Sequence, residues 1–154
     1  MSQGKVVAIY VGSVAHEPLQ AREAVRAVAS RGLEGDRYFQ GEETAPAVEK
    51  ADQNVTLIES EALEALLREE GVTLEAAESR RNIVTQHVAL NHLVGRYFRV
   101  GEVLLRGVRL CEPCSHLQKM TRPGVLKGLV HRGGLRAEIL TDGELHVGDP
   151  VEVP

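Results

Sequence analysis

The sequence predicts a mainly β domain, an antiparallel barrel with a few short flanking α-helices. Three observations carry that expectation. Short apolar, β-branched segments recur along the chain, such as KVVAIYV, NVTLI and LRAEIL. Gly-centred turns separate most of them. The helical patterns between them are brief, and evenly spaced short strands with little helix are the mark of sandwiches and barrels.

In chain order, Lys5 to Val11 is a buried strand ended by Gly12-Ser13, and His16-Glu17-Pro18 is a turn, because Pro18 has no N–H for a central strand. Gln20 to Ser30 is compatible with helix or strand, and a β segment near Val25–Val28 is preferred. Arg31 to Arg37 is a glycine-spaced turn, too short and wrongly placed for a dinucleotide fingerprint. Gly41 to Asp52, polar and glutamate-rich, reads as a surface loop. Asn54 to Ile58 is a strand, followed by an amphipathic helix with Ser60 as N-cap and Gly71 as its stop. Leu74 to Ser79 makes a further helical turn, and Ile83 to Thr85 a short strand. Val88 to Val94 is a short apolar piece. Tyr97 to Val100 is a strand bracketed by Gly95 and Gly101, and Val103 to Leu110 is an extended segment broken at Gly107. A helical stretch at Val125–Val130 and a strand at Leu135–Leu140 come next. Asp142-Gly143 makes a hairpin turn that sets Leu145–Val147 against that strand, and Val151–Val153 is a last strand.

Bulk properties bound the function. The chain has 154 residues, 43% of them hydrophobic, and a net charge of −4. One domain with one core is expected, with no electrostatic signature for nucleic acid. Trp is absent and aromatics are 3%, which argues against a base-stacking surface. No run approaches the ~18 apolar residues that cross a bilayer, and the start has no cleavage-like region, so neither membrane nor secretion is expected and the predicted location is the cytoplasm. Two cysteines are too few for a disulfide scaffold.

Reactive side chains meet at one defined spacing, Cys111-Glu112-Pro113-Cys114 followed by Ser115–Met120. Pro113 suits a first helical position, which would put Cys114 in the first turn, where free N–H groups and the helix dipole favour a thiolate. His116 and Lys119 add positive charge. The bland alternative is a pair of small buried hydrophobes, and it fits Cys111 better than Cys114. Three functional readings compete: a zinc site, for which His116 and His131 are wrongly spaced; a Cys111/Cys114 dithiol couple; and a single cysteine that ligates a metal cofactor or carries sulfur. Arg80-Arg81-Asn82, at the mouth of a strand, presents two guanidiniums and an amide to an anion. Asp36 and Arg37 are either turn chemistry or part of the same site.

In this order, Gly32–Arg37, Arg80–Val84, Gly95 with Phe98 and Gly101, Cys111–Cys114, Arg132–Leu135 and Gly148–Val151 resemble a MOSC domain, the fold named after the C-terminal domain of molybdenum-cofactor sulfurase. The resemblance spans about residues 5 to 153 and implies a single MOSC domain, residues 1–154, with a β-barrel fold. It implies molybdenum cofactor (molybdopterin) bound through Cys114 as metal or sulfur ligand, with Arg80 and Asn82 contacting the pterin phosphate or its surroundings. Arg81, Asp36, Arg37, His116 and Arg132 complete the expected cofactor surroundings. Family members of the amidoxime-reducing type reduce N-hydroxylated substrates. The resemblance also admits a sulfur carrier holding a persulfide on Cys114. The expected partners are the pterin cofactor and either a cysteine desulfurase or an electron-donor protein. The larger reductase-type members carry a His-Gly-Gly loop where this sequence has Gly41–Asp52.

Overall fold

The computed structural model describes residues 3–14, 17–39 and 53–154. The expected loop Gly41–Asp52 and residue His16 of the first turn lie outside the described residues. Eleven strands are β1 (Gly4–Val11), β2 (Gln20–Arg22), β3 (Ala24–Val28), β4 (Gly32–Leu33), β5 (Val55–Glu59), β6 (Ile83–Gln86), β7 (Tyr97–Val100), β8 (Val103–Leu110), β9 (Leu135–Ile139), β10 (Gly143–His146) and β11 (Pro150–Glu152). The helices are α1 (Ser60–Glu70), α2 (Ser115–Met120) and α3 (Val125–Gly128), with 3₁₀ turns at Ala76–Ser79 and Leu90–Leu93. No helix among them is long and apolar enough to cross a membrane.

The main sheet runs β11-β7-β8-β9-β5-β6-β1, and β11 pairs with β1 to close it into a seven-stranded barrel; β2 extends β1 outside the ring. Alternation builds it: β7 is exposed, buried, exposed, buried along Tyr97–Val100, so Phe98 and Val100 enter the interior. There they meet Val6, Ile9, Leu57, Ile83, Leu105 and Ile139, all nearly inaccessible. Burying each such side chain contributes about 1.5–3 kcal/mol. A second apolar layer lies outside the ring, where Ala62 and Leu66 of α1 pack with Leu117, Val125 and Leu129 on Ile58 and Val84. Gly71 ends α1 in the left-handed region, φ 68°, and its N–H closes on the carbonyls of Leu66 and Leu67.

Four expectations are corrected. The barrel is not wholly antiparallel, because α1 crosses over between β5 and β6 and makes them parallel. The Asp142-Gly143 turn does not fold β10 onto β9. Both edges of β9 are already occupied, by β8 and β5, so β10 pairs with β3 in a separate three-stranded sheet with β4. Asp142 accepts the Ala29 N–H at 2.7 Å and anchors that junction. Ser60 is the first residue of α1 and caps nothing; Glu59 precedes it as N-cap. Finally, α2 begins at Ser115, so Cys114 is its N-cap in extended backbone (φ −130°, ψ 167°) and Pro113 stands before the helix.

Candidate functional site

One end of the barrel collects the turn after β4, the start of β6, the end of β8 with the start of α2, and the start of β9. Antiparallel pairing of β8 with β9, and parallel pairing of β5 with β6, bring these chain segments to the same rim. They enclose a cleft of about 160 Å³. Cys114, His116, Arg37, Arg80, Arg81 and Asn82 all line it, so six of the expected site residues meet there. Tyr38, Thr56, Arg136 and Met120 line it too and were not foreseen. Tyr38 carries a signal in hindsight, since it follows Arg37 directly and its ring takes the Arg37 guanidinium at 4.6 Å. Arg136 is one of the half-buried positions that alternate with Leu135, Ala137 and Ile139 along β9.

The three consecutive residues Arg80, Arg81 and Asn82 have three different fates. Arg81 is buried, and its guanidinium donates to the carbonyls of Gly133 (2.7 Å), Cys111 (3.0 Å) and Ser79 (3.2 Å). It therefore fastens the start of the cysteine loop to the Gly133 turn. At Gly133 a Cβ would collide with the Cys111 carbonyl, so only glycine permits this close approach. Burial lowers the Arg81 pKa from its ordinary value, and the charges of Cys111 and then Cys114 offset part of that against Arg136.

Asn82 is a girder. Its Oδ1 accepts the Thr56 N–H (3.0 Å) and hydroxyl (3.1 Å), and its Nδ2 donates to the Tyr10 carbonyl (3.1 Å) and to Asp36 (3.3 Å). Two donors and two lone pairs are thus engaged, and the expected phosphate contact finds no amide hydrogen left to make it. Asp36 is buried and also does structural work: Oδ1 accepts the Gly12 N–H at 3.0 Å and Oδ2 accepts that of Tyr38 at 3.5 Å.

Arg80 is the residue turned to the cleft. It sits in the left-handed region at φ 60°, ψ 26°, a conformation that costs a non-glycine residue of order 1 kcal/mol. Its Nη1 donates to the Glu17 carbonyl at 2.7 Å, while its Nη2 is buried with no hydrogen-bond partner among the described residues. Burial first, then the charge of Arg37, lowers its pKa from the ordinary value. Among the described residues no carboxylate pairs with Arg80 or Arg81; Arg37 has Asp36 at 3.9 Å.

Arg132 is not brought to this cleft. Gly133 and Gly134 reverse the chain after it, and its guanidinium pairs with Glu69 at 2.9 Å over a different cavity. Cys111 is 2% exposed whereas Cys114 is exposed, and both are free thiols. The cysteine loop is held from its other side by Glu112, which accepts the His131 backbone N–H at 2.7 Å and lies 2.8 Å from its Nδ1. Among the described residues, no three His, Cys, Asp or Glu side chains converge on a metal position.

For a pterin-bound metal, the exposed thiol is a single soft ligand, the Arg37 and Arg80 guanidiniums suit a phosphate, and Arg80 Nη2 has no hydrogen-bond partner among the described residues. A second groove of about 270 Å³, along Pro18, Leu19 and Ala77, shares Arg80 and Met120 with the cleft. Together they offer the room a ligand of that size needs. The residues fit the group.

The family model for the MOSC domain matches residues 30–152. No curated protein matches the chain in sequence. Among solved structures, the YuaD protein from Bacillus subtilis superposes with a TM-score of 0.82 at 14% identity, covering 99% of this chain and 96% of that one. YiiM from Geobacillus stearothermophilus gives 0.72 at 16% identity, over 98% and 75% of the two chains. YiiM from Escherichia coli gives 0.70 at 17%, over 100% and 70%. At these identities the likeness establishes the fold.

Proposed function

The chain belongs to the MOSC domain family, and on that footing we propose that it binds the molybdenum cofactor in the Cys114 cleft. The observation that carries this reading is the pairing of an exposed thiol with a buried guanidinium N–H, Arg80 Nη2, that has no partner among the described residues. Cys114 would be the metal or sulfur ligand, and Arg80 and Arg37 would hold the pterin phosphate. Arg81 and Asn82 set the shape of the cleft without touching the phosphate. When bound, that group supplies two-electron redox chemistry, and N-hydroxylated bases are the substrate class to assay, with an electron-donor protein as partner. A cysteine kept as a thiol suits the cytoplasm. Expression in a cofactor-competent host, followed by elemental analysis, tests the reading. Wild type should retain molybdenum and Cys114→Ala should lose it; equal retention sinks the proposal.

A second reading is favoured by the exposure of Cys114 set against the burial of Cys111. One thiol alone is presented, as a sulfur carrier requires, and a cysteine desulfurase would be its partner. Here Cys114 would carry a persulfide. Mass spectrometry after incubation with a desulfurase and cysteine should find one added sulfur atom on Cys114, and its absence would reject this reading.

A further inference from the structure

We propose that the cleft draws sulfur from thiosulfate: Arg80 and Arg37 hold the sulfonate end, and Cys114 takes the terminal sulfur. This rests on the sulfur-carrier reading and adds to it a substrate and a turnover. Three observations lead there.

The first is charge. Two guanidiniums face one small cleft, Arg80 without any described carboxylate partner and with Nη2 buried and unbonded. Asp36, 3.9 Å from Arg37, offsets one of the two charges and is itself held by Gly12, Tyr38 and Asn82, which leaves Arg80 as the cation with no carboxylate partner among the described residues. An oxyanion with several coplanar acceptors is the natural complement of guanidinium forks. The second is the thiol. Cys114 opens on the same cleft, whereas Cys111 is buried and its carbonyl is tied to Arg81. The third is size. The part of the cavity that Cys114 and the two arginines share measures about 160 Å³, which accommodates an ion of a few heavy atoms without calling on the adjoining groove. Phosphate would satisfy the arginines and leave the thiol idle. Thiosulfate uses both, because it joins an electrophilic sulfur to a sulfonate.

The step balances without an added oxidant or reductant. The Cys114 thiol gives its proton to solvent, and the thiolate attacks the terminal sulfur. A Cys–S–S bond forms, the sulfur–sulfur bond of thiosulfate breaks, and its electron pair leaves on sulfite. The products are Cys114 persulfide and sulfite, whose growing charge lies against Arg80 and Arg37. A nucleophilic acceptor then removes the outer sulfur and restores the thiolate; with cyanide the product is thiocyanate.

The experiment uses the full, reduced chain with thiosulfate as sole sulfur source, read by intact mass and peptide mapping, and then by thiocyanate formation with cyanide. One sulfur atom on Cys114 is expected, with turnover competitively inhibited by inorganic sulfate. Arg80→Gln should raise the thiosulfate KM by about tenfold or more with a smaller change in kcat, and Arg80→Lys should fall between. Arg37→Gln carries the same test should Arg80→Gln melt at assay temperature, and Arg132→Gln should behave as wild type. If a desulfurase with cysteine loads Cys114 while thiosulfate does not, the inference is overturned and the carrier reading stands. If neither source loads it, both fall. Loading by thiosulfate with an unchanged KM in a folded Arg80→Gln or Arg37→Gln variant would overturn the assignment of the arginines.

Discussion

Two of the cavities on this barrel treat charge in opposite ways. In the Cys114 cleft, Arg80 and Arg81 have no carboxylate partner among the described residues. In a different cavity, along the first turn of α1, basic side chains and carboxylates are paired: Arg132 with Glu69, His131 with Glu112, and His87 near Glu61. Matched charges on a surface neutralise one another and contribute little. Unmatched guanidiniums in a partly desolvated cleft are costly unless an anion completes them. The difference separates a place where charge is matched within the fold from the one where we propose that an anion completes it. Each prediction below breaks that contrast or sharpens it.

The largest effect is expected at Arg81, where the cleft's charge is also its framework. Replacing it with Met would orphan the carbonyls of Ser79, Cys111 and Gly133, at roughly 1–3 kcal/mol for each one left dry. A loss of about 3 kcal/mol or more in urea unfolding is expected. A loss below about 1 kcal/mol would mean that Arg81 is as dispensable as a surface cation. Asn82→Ala should follow at about 2–3 kcal/mol, since Thr56, Tyr10 and Asp36 lose their shared partner.

Arg80 separates side-chain function from backbone strain. Ala and Gly at position 80 remove the same guanidinium, but only glycine relaxes the left-handed φ of 60°. Arg80→Gly should therefore be about 1 kcal/mol more stable than Arg80→Ala, while both lose anion binding equally, as titration with inorganic sulfate would report. Equal stabilities would remove the claim of strain, and unequal sulfate affinities would show that the backbone, and not the guanidinium, shapes the cleft.

Much of the fold was legible because period-two burial is written locally. Tyr97–Val100 declares its buried face in four letters, and Gly71 declares where α1 stops. What escaped depends on partners far along the chain. Nothing within Gly143–His146 says that β9 has no edge left and that β3 must accept it. The site followed the same rule. Arg80-Arg81-Asn82 read correctly as one polar segment before a strand. Their division into cleft-lining cation, buried fastener and girder is set by the left-handed turn at Arg80, by the Gly133 carbonyl 52 positions away and by the Tyr10 carbonyl 72 away. Arg132 belongs to a segment that carries the family resemblance, Arg132–Leu135, whereas the turn there sends its side chain to Glu69.

The smallest effect is expected at Glu59, the carboxylate that breaks the matching in the second cavity. It is partly buried and accepts the Leu90 N–H at 3.2 Å. Burial raises its pKa above the ordinary glutamate value, Glu61 adds to the rise, and the Leu90 N–H, His92 and Arg132 offset part of it. The sign follows from which state holds the proton more tightly. The folded chain does, so the contribution of Glu59 is fully present below the unfolded-state glutamate pKa, and it is lost as pH rises through the higher folded value. At neutral pH the ionised side chain is a residual cost. Glu59→Gln keeps an acceptor for Leu90 and removes that cost, so it should raise the thermal midpoint slightly at neutral pH and flatten the stability profile just above the glutamate range. Thiol chemistry at Cys114 should be untouched, because Glu59 lines the other cavity. A variant that is less stable at neutral pH would mean that the Glu59 charge is matched after all. The contrast between the two cavities would then be complete, with no exception left on the balanced side.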